Sequence, residues 1–317
     1  MESLHRAEWP VDATPQRLDR VLATLFAQYS RSRLQQWIKS GAVSVDGETV
    51  VKQRAQIAAG SVVILRAEAE VQGEWLAEAI PLGIIYEDSE LLVVNKPVGL
   101  VVHPAAGHSR GTLLNALLHH APQLQNIPRA GIIHRLDKET SGLLMVAKTA
   151  TAHHALVDQL QQRSVRREYR AIVHGEVTGG GTVNAPIGRH PVDRKRMAVT
   201  PSGKEAVTHY RLLHRLRGFA HLSVHLESGR THQIRVHMAS IHHPLVGDPL
   251  YGGRQRLPCG ASDALLDGLR GFRHQALHAT LLGILHPVTG AEMVWQVPPP
   301  PDFEQLLQLL LRECGDG

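Results

Sequence analysis

Apolar positions fall in two rhythms along the chain. Over 17–66, Leu18, Val21, Leu22, Leu25 and Phe26 recur at helical spacing. A second helix is predicted to carry Leu34, Trp37 and Ile38, with Ser30 or Ser32 as its cap and Gly41 as its stop. Val43 and Val45 alternate with Ser44, and Asp46-Gly47 reads as a tight hairpin turn. Val62, Val63 and Ile64 form a strand after Gly60. The predicted order is helix, helix, short strands, with 1–16 as an N-terminal tail and the Ala- and Glu-rich stretch 67–81 as a linker.

From 82 to 317 the two rhythms mix. Ile84–Ile85 and Leu91–Val94 suggest strands paired across Glu87-Asp88-Ser89. Leu113, Leu114, Leu117 and Leu118 suggest a helix, and 150–163 another. Ile132–Ile133, Leu143–Ala147, Val165–Val173 and Phe219–Leu226 are strand-like. This mixture predicts an α+β fold with a mostly antiparallel central sheet.

Charge adds a direction. The 317 residues carry 34 Lys and Arg against 29 Asp and Glu. Residues 17–66 hold eight of the basic residues and three of the acids, and the rest nearly cancels. A small basic module beside a near-neutral larger one suits an anionic partner such as nucleic acid, although a solvated basic face is the plainer alternative. Arg31, Arg33 and Lys39, on or beside the second helix, are the candidate phosphate contacts. Aromatics at 4% argue against a stacking platform for single strands. No apolar run approaches a membrane span. Two cysteines, Cys259 and Cys314, could form one disulfide but read rather as reduced thiols of a cytoplasmic protein.

Candidate chemistry gathers in two strings. In GIIHRLDKETSGLLMVAK (131–148), a polar loop between apolar runs can present the Asp137 carboxylate at a sheet edge. Alone, such an Asp is more usually a turn former or cap. In ESGRTHQIRVHM (227–238), Thr231 can cap a helix that buries Ile234, Met238 and Ile241 and puts His232 and Arg235 on another face. An Arg from that helix beside a carboxylate makes either a structural ion pair or an oriented catalytic one. No nucleotide-binding glycine pattern occurs. The 21 histidines include pairs such as His119-His120 and His242-His243, but no metal-site spacing and no H-E-x-x-H, so no cofactor and no metal is expected.

RLDRVL, SRSRLQQWIKSGAVSVDG and the turn into VVIL resemble an S4-type RNA-binding module. HRLDKETSGLLMVAKT, REYRAIVHG (167–175), SGRTHQIRVHM and HPLVGDPLYGG (243–253) resemble, in order, the motifs of RluA-type pseudouridine synthases. LLVVNKPVGLVVHP and LHATLLGILHP fit as well. The resemblance implies a pseudouridine synthase fold over 82–317 behind an S4-like α/β domain over 17–66. It implies isomerisation of uridine without a cofactor. Asp137 would be the catalytic carboxylate, either as nucleophile at C1′ or by promoting base departure through a glycal. Arg235 would pair with it, in preference to the nearby Arg230. Tyr169 would stack near the base and could move a proton. His134 and Arg135 would sit beside the nucleophile, with Arg135 helping to flip the nucleotide. Leu245 would pack on the uracil, and Arg230 would contact substrate. Arg167 stands where many relatives carry Lys. Arg189, Arg194, Lys195, Arg196 and Lys204 could grip phosphates or be a solvated loop. GTLLNALLHH, PRAGIIHRLDK and APIGRHPVDRKRMAV narrow the implied substrate to large-subunit (23S) ribosomal RNA, at a helix 69-type stem-loop, for an enzyme working as a monomer. The alternatives are another ribosomal site, tRNA, or a non-catalytic assembly factor.

Overall fold

A computed structural model of the chain describes residues 2–26, 29, 31–68, 75–104, 109–193, 195–253 and 260–315. The chain divides into two compact units, Met1–Glu74 and Trp75–Gly317.

In the first unit the helical spacing produces α1 (Leu18–Leu25) and α2 (Arg31–Ser40), after strands β1 (Glu2–Glu8) and β2 (Gln16–Arg17). Strands β3 (Val43–Val45), β4 (Glu48–Thr49), β5 (Gln56–Ile57) and β6 (Val62–Glu68) follow. Leu18, Val21 and Leu22 of α1 pack on Leu34, Trp37 and Ile38 of α2 and on Val43, Val63 and Leu65 of the sheet. Gly41 adopts φ 80°, as a helix stop requires. Asp46 and Gly47 both have positive φ, the geometry that matches the twist of a two-residue hairpin.

The N-terminal segment is not a tail. β1 runs antiparallel to β6 from Glu2↔Glu68 to Glu8↔Val62, giving the sheet order β1-β6-β3-β4. Without β1, an edge of β6 would present unpaired backbone groups. Ala7 and Trp9 pack against the small core. The linker expectation also shrinks. Ala67 is buried at the end of β6, and on the other side Glu78 N–H donates to the Asn115 carbonyl (3.0 Å). Residues 69–74 lie outside the described residues.

The second unit is built on a nine-stranded sheet. Its first elements are β7 (Ile84–Glu87), β8 (Leu91–Lys96), α3 (Leu113–His120), β9 (Ser141–Ala147), α4 (Ala150–Gln161) and β10 (Arg166–His174). Next come β11 (Gly181–Asn184), β12 (Ile187–Arg189), β13 (Met197–Val199), β14 (Val207–Leu216), β15 (Phe219–Leu226) and α5 (Gln233–Ser240). The last are α6 (Asp263–Gly271), β16 (Leu277–Leu285), β17 (Glu292–Gln296) and α7 (Pro301–Cys314). Strand order is β11-β14-β15-β10-β16-β9-β8-β7, with β17 beside β16. Every pairing is antiparallel except β9 with β16. The class is α+β, with the expected mostly antiparallel sheet.

Strands β8 and β9 are buried on both faces, which explains their continuous apolar runs. One face carries Leu92, Val94, Leu144, Val146, Ala171 and Val224 beneath α3 and α5. The other carries Leu91, Val93, Leu143 and Met145 against Ala152 and Leu156 of α4. Helices α6 and α7 close a third core around Phe219 and Phe303. Ile132–Ile133, read as a strand, makes only a single bridge, Ile132 to Val146. No described helix is long and apolar enough to cross a membrane.

Candidate active site

Asp137 sits on the loop that enters β9, and two glycines fix where that loop starts and ends. A Cβ on Gly131 would lie 1.9 Å from the Ala147 carbonyl oxygen, and one on Gly142 would lie 2.3 Å from that of Ala279. Both have positive φ, 76° and 113°. Only glycine lets the backbone approach the neighbouring strands this closely with that conformation. Between them the loop is pinned repeatedly. Thr140 N–H donates to the Asp137 carbonyl (3.1 Å), and Gln275 Nε2 donates to Thr140 Oγ1 (3.0 Å). Ser141 Oγ meets His278 Nδ1 at 2.9 Å.

Lys96, at the end of β8, holds the loop from beneath. It is buried, and its Nζ donates to the carbonyls of Pro97 (2.7 Å), Leu100 (3.0 Å) and Lys138 (3.0 Å). Burial pushes its pKa down to about 7, against the opposing pull of Glu139 and Asp137. His134 is fixed differently. The Met145 N–H donates to its Nε2 (3.0 Å), so the ring is a neutral acceptor there. Burial, with Arg167 nearby, lowers its pKa to about 3.

Opposite the loop, α5 presents Arg235. Its Nη1 reaches Asp137 Oδ2 at 3.0 Å, while Nε and Nη2 grip Asp248 at 2.7 and 2.8 Å. Burial works against the Arg235 charge, but the two carboxylates outweigh it and raise its pKa. Asp248 is buried, and its Oδ1 also accepts the N–H groups of Leu250 and Tyr251. Among the described residues, Asp137 Oδ1 makes no hydrogen bond, and its one charged contact is His232 Nε2 at 3.9 Å. The carboxylate is therefore held by one oxygen and open at the other.

Helix α5 starts two residues after the Thr231 cap that its spacing suggests. The N-cap is His232, at φ 57°, without a side-chain cap. Gln233 replaces it as the local anchor, accepting from Ser228 Oγ and Arg230 N–H and donating to the Val207 carbonyl and Thr208 Oγ1. His232 Nδ1 lies 2.8 Å from Tyr251 Oη, and the Arg235 guanidinium lies over the Tyr251 ring.

These elements enclose a cavity of about 340 Å³ lined by Asp137, Tyr169, Arg235, His134, Arg135 and Arg230, among others. Tyr169 lies on β10 facing the main core, and burial raises its pKa, with Arg167 opposing and Asp137 adding. Arg135 and Arg230 are exposed at the rim, and Arg230 Nε donates to the Glu205 carbonyl.

Leu245 departs from expectation. It is fully buried in the main core, bridged to Val173, and does not line the cavity. Its backbone faces the inner end of β10, which turns the side chain into the sheet's own packing. The Arg196 guanidinium lies over the Tyr251 ring, beside the cavity wall rather than in open solvent. Lys39 is exposed on the last turn of α2. The side chains of Arg31 and Arg33, and all of Arg194 and Cys259, lie outside the described residues, and Cys314 is a free, buried thiol.

Residues 90–240 match the RNA pseudouridylate synthase family and 16–63 the S4 domain. Over 97% of its length the chain is 58% identical to the ribosomal large subunit pseudouridine synthase D of Pseudomonas aeruginosa, covering 96% of that protein. The chain belongs to the RNA pseudouridine synthase family. The synthase D of Escherichia coli strain K12 is 52% identical over 93% of this chain and 90% of its own length. Among solved structures, human RNA pseudouridylate synthase domain containing 4 superposes with a TM-score of 0.57 at 28% identity, over 72% of this chain and 92% of that one. Within this synthase, sequence reasoning missed Asp248 and Lys96, and it set His232 beside Arg235 without giving it a role. Asp248 lay inside a recognised string, GDPLYGG, but nothing in its spacing pairs it with Arg235. The signal for Lys96 is a lone charge closing an otherwise apolar buried strand.

Proposed function

We propose that this chain converts uridines of large-subunit ribosomal RNA to pseudouridine, with Asp137 as the catalytic carboxylate. The observation that carries the reading is the state of Asp137: one oxygen is locked to Arg235, and the other opens into a cavity beside Tyr169. Two relatives that are at least 52% identical over nearly the whole chain are ribosomal large subunit pseudouridine synthases, and they support the RNA class.

The reaction breaks the N1–C1′ bond, turns the uracil, and joins C5 to C1′. A target base must leave the RNA stack to reach the cavity, and exposed Arg135 at the rim is placed to fill the gap. As N1–C1′ breaks, positive charge develops at C1′. Asp137 Oδ1 answers it, by direct attack or by drawing off a proton toward a glycal. Arg235 balances one carboxylate of the Asp137–Asp248 pair and leaves one negative charge for this work. Tyr169 covers the base with its buried ring and keeps its phenol proton, since burial raises its pKa. The S4 unit, with exposed Lys39 and with Arg31 and Arg33 on the same helix, binds backbone phosphates.

A working monomer is part of this reading. A cytoplasmic setting suits a ribosomal substrate and the free Cys314 thiol. A helix 69-type stem-loop is the first site to inspect, on the resemblance of GTLLNALLHH and APIGRHPVDRKRMAV.

The test is pseudouridine mapping across total RNA from cells lacking the protein, complemented with wild type or Asp137→Asn. Clustered large-subunit sites should vanish and return only with wild type. Return with both proteins would remove Asp137 from the mechanism. No change at any site would leave a non-catalytic RNA binder.

A further inference from the structure

The cavity contains a second buried charge whose role the Asp137–Arg235 pair does not explain. Arg167 precedes Tyr169 by two residues on β10, so the two side chains share a sheet face. Arg167 lines the same cavity, and only 6% of it is exposed. Its Nε is buried without a hydrogen-bond partner, and no ion pair joins it to any described residue. The neighbouring carboxylates are engaged elsewhere. Asp137 and Asp248 face Arg235, Glu168 faces Arg166, and Glu227 faces Arg163 and His209. A buried cation with an unsatisfied N–H and no direct ion pair carries a desolvation cost, which an anionic or strongly accepting ligand would offset. Gly229 leaves the room for it, since a Cβ there would lie 2.9 Å from Arg167 Nη1.

We propose that Arg167 is a catalytic residue that binds the uracil oxygens and stabilises the uracil anion when the glycosidic bond breaks. The inference rests on the pseudouridine synthase reading above. When N1–C1′ breaks, its electron pair stays on uracil, spread over N1 and the adjoining carbonyl oxygens. After the ring turns, that pair serves to form C5–C1′; the C5 proton leaves and N1 gains one, so atoms and charge balance. The cavity is thus polarised. Asp137 answers the positive charge on the sugar, and Arg167 answers the negative charge on the base. Depth separates Arg167 from the other cations. Arg135 and Arg129 are both exposed, which suits phosphates at the mouth, whereas a flipped base goes deepest.

The test compares wild type, Arg167→Met, Arg167→Lys and Gly229→Ala on a stem-loop RNA carrying uridine or 5-fluorouridine. Single-turnover rates of N1–C1′ cleavage (the step both bases share, since fluorine leaves 5-fluorouridine no C5 proton to lose), RNA affinity against salt, and thermal melting are read for each. Arg167→Met should slow the uridine reaction about 10²–10³-fold with RNA affinity within about threefold of wild type. Arg167→Lys should recover part of that loss, and Gly229→Ala, which pushes the guanidinium aside, should lose about tenfold. Fluorine makes uracil a better leaving group, so the Met defect on 5-fluorouridine should shrink at least about tenfold. Equal defects on both bases would overturn the role. So would an unchanged bound-state rate with weaker binding and a salt slope reduced by about one, which marks a phosphate contact. If Arg167→Met melts early, the Lys and Gly229 variants decide by the same ratio of bases. An inactive wild type would sink the function reading and this inference with it. An active wild type matched by Arg167→Met would sink this inference alone.

Discussion

Arg235 gives Asp248 two nitrogens, at 2.7 and 2.8 Å, and Asp137 only one, at 3.0 Å. The stronger grip therefore belongs to the carboxylate outside the cavity lining. Asp248 sets the guanidinium plane, and the plane sets Asp137. Replacing Asp248 with Asn removes one charge and keeps the acceptor for Leu250 and Tyr251. Arg235 is then free to fork both nitrogens onto Asp137 and occupy the oxygen that faces substrate. Asp248→Asn should slow turnover about 10²-fold and cost about 3 kcal/mol of stability. Single-turnover kinetics with denaturant unfolding checks both. A fall in stability with unchanged turnover would mean that Asp248 serves packing alone.

The chemistry-bearing residues were readable because they sit in contiguous strings. Asp137, Tyr169 and Arg235 each lie in a motif, and the structure brings all three to one cavity. What stayed hidden depends on contacts between distant segments. β1 looked like a tail because Glu2–Glu8 has too few apolar positions to announce a strand; its partner β6 lies more than fifty residues on. Leu245 was assigned to the base by analogy, yet its place is decided by a bridge to Val173. Thr231 looked like a cap because caps are local, but the left-handed turn at His232 delays the helix. No local pattern shows that Lys96 faces three carbonyls or that Arg167 Nε has no partner among the described residues.

The loop that carries Asp137 should be intolerant of a single methyl at either end. Gly131→Ala and Gly142→Ala would each drive a Cβ into a strand carbonyl, and each residue has positive φ. Each should cost more than about 2 kcal/mol and abolish most activity, because the strand can yield only by moving the loop. Gly111→Ala is the control. Its φ is also positive, at 68°, but a Cβ there meets nothing within 4 Å. It should cost only about 1 kcal/mol. Thermal melts of the three variants would separate close approach from backbone strain.

Lys96 makes stability depend on alkaline pH. Its folded pKa is pushed down to about 7 from 10.5 by burial. Between those values the unfolded chain binds more protons than the folded one, so the group's contribution to stability rises with pH across that window. It is lost as pH falls through about 7. The rise is at most about 1.4 kcal/mol per pH unit for one proton. Lys96→Met should remove this slope. It should also leave the carbonyls of Pro97, Leu100 and Lys138 without donors, at about 1–3 kcal/mol for each one that water does not reach. Urea unfolding at steps from pH 7 to 9.5 would read the slope; identical slopes in the two proteins would exclude Lys96 as its source.

Acid should act through the buried and half-buried histidines. Burial lowers His134 to about 3, and His103, His221 and His278 to about 4. A histidine with a depressed folded pKa contributes stability that is fully present above about 6.5 and is lost as pH falls through the folded value. The second unit should therefore weaken steadily from pH 6.5 toward pH 4, before most carboxylates protonate. His134 isolates one share of this. His134→Gln can still accept from the Met145 N–H through its amide oxygen, but it cannot titrate. Its unfolding free energy should match wild type near pH 7.5 to within about 1 kcal/mol. Below pH 6 its decline should be shallower by up to about 1.4 kcal/mol per pH unit, the linkage of a single proton. Parallel declines in the two proteins would mean that His134 takes up no proton on unfolding. The acid sensitivity would then belong to His103, His221 and His278.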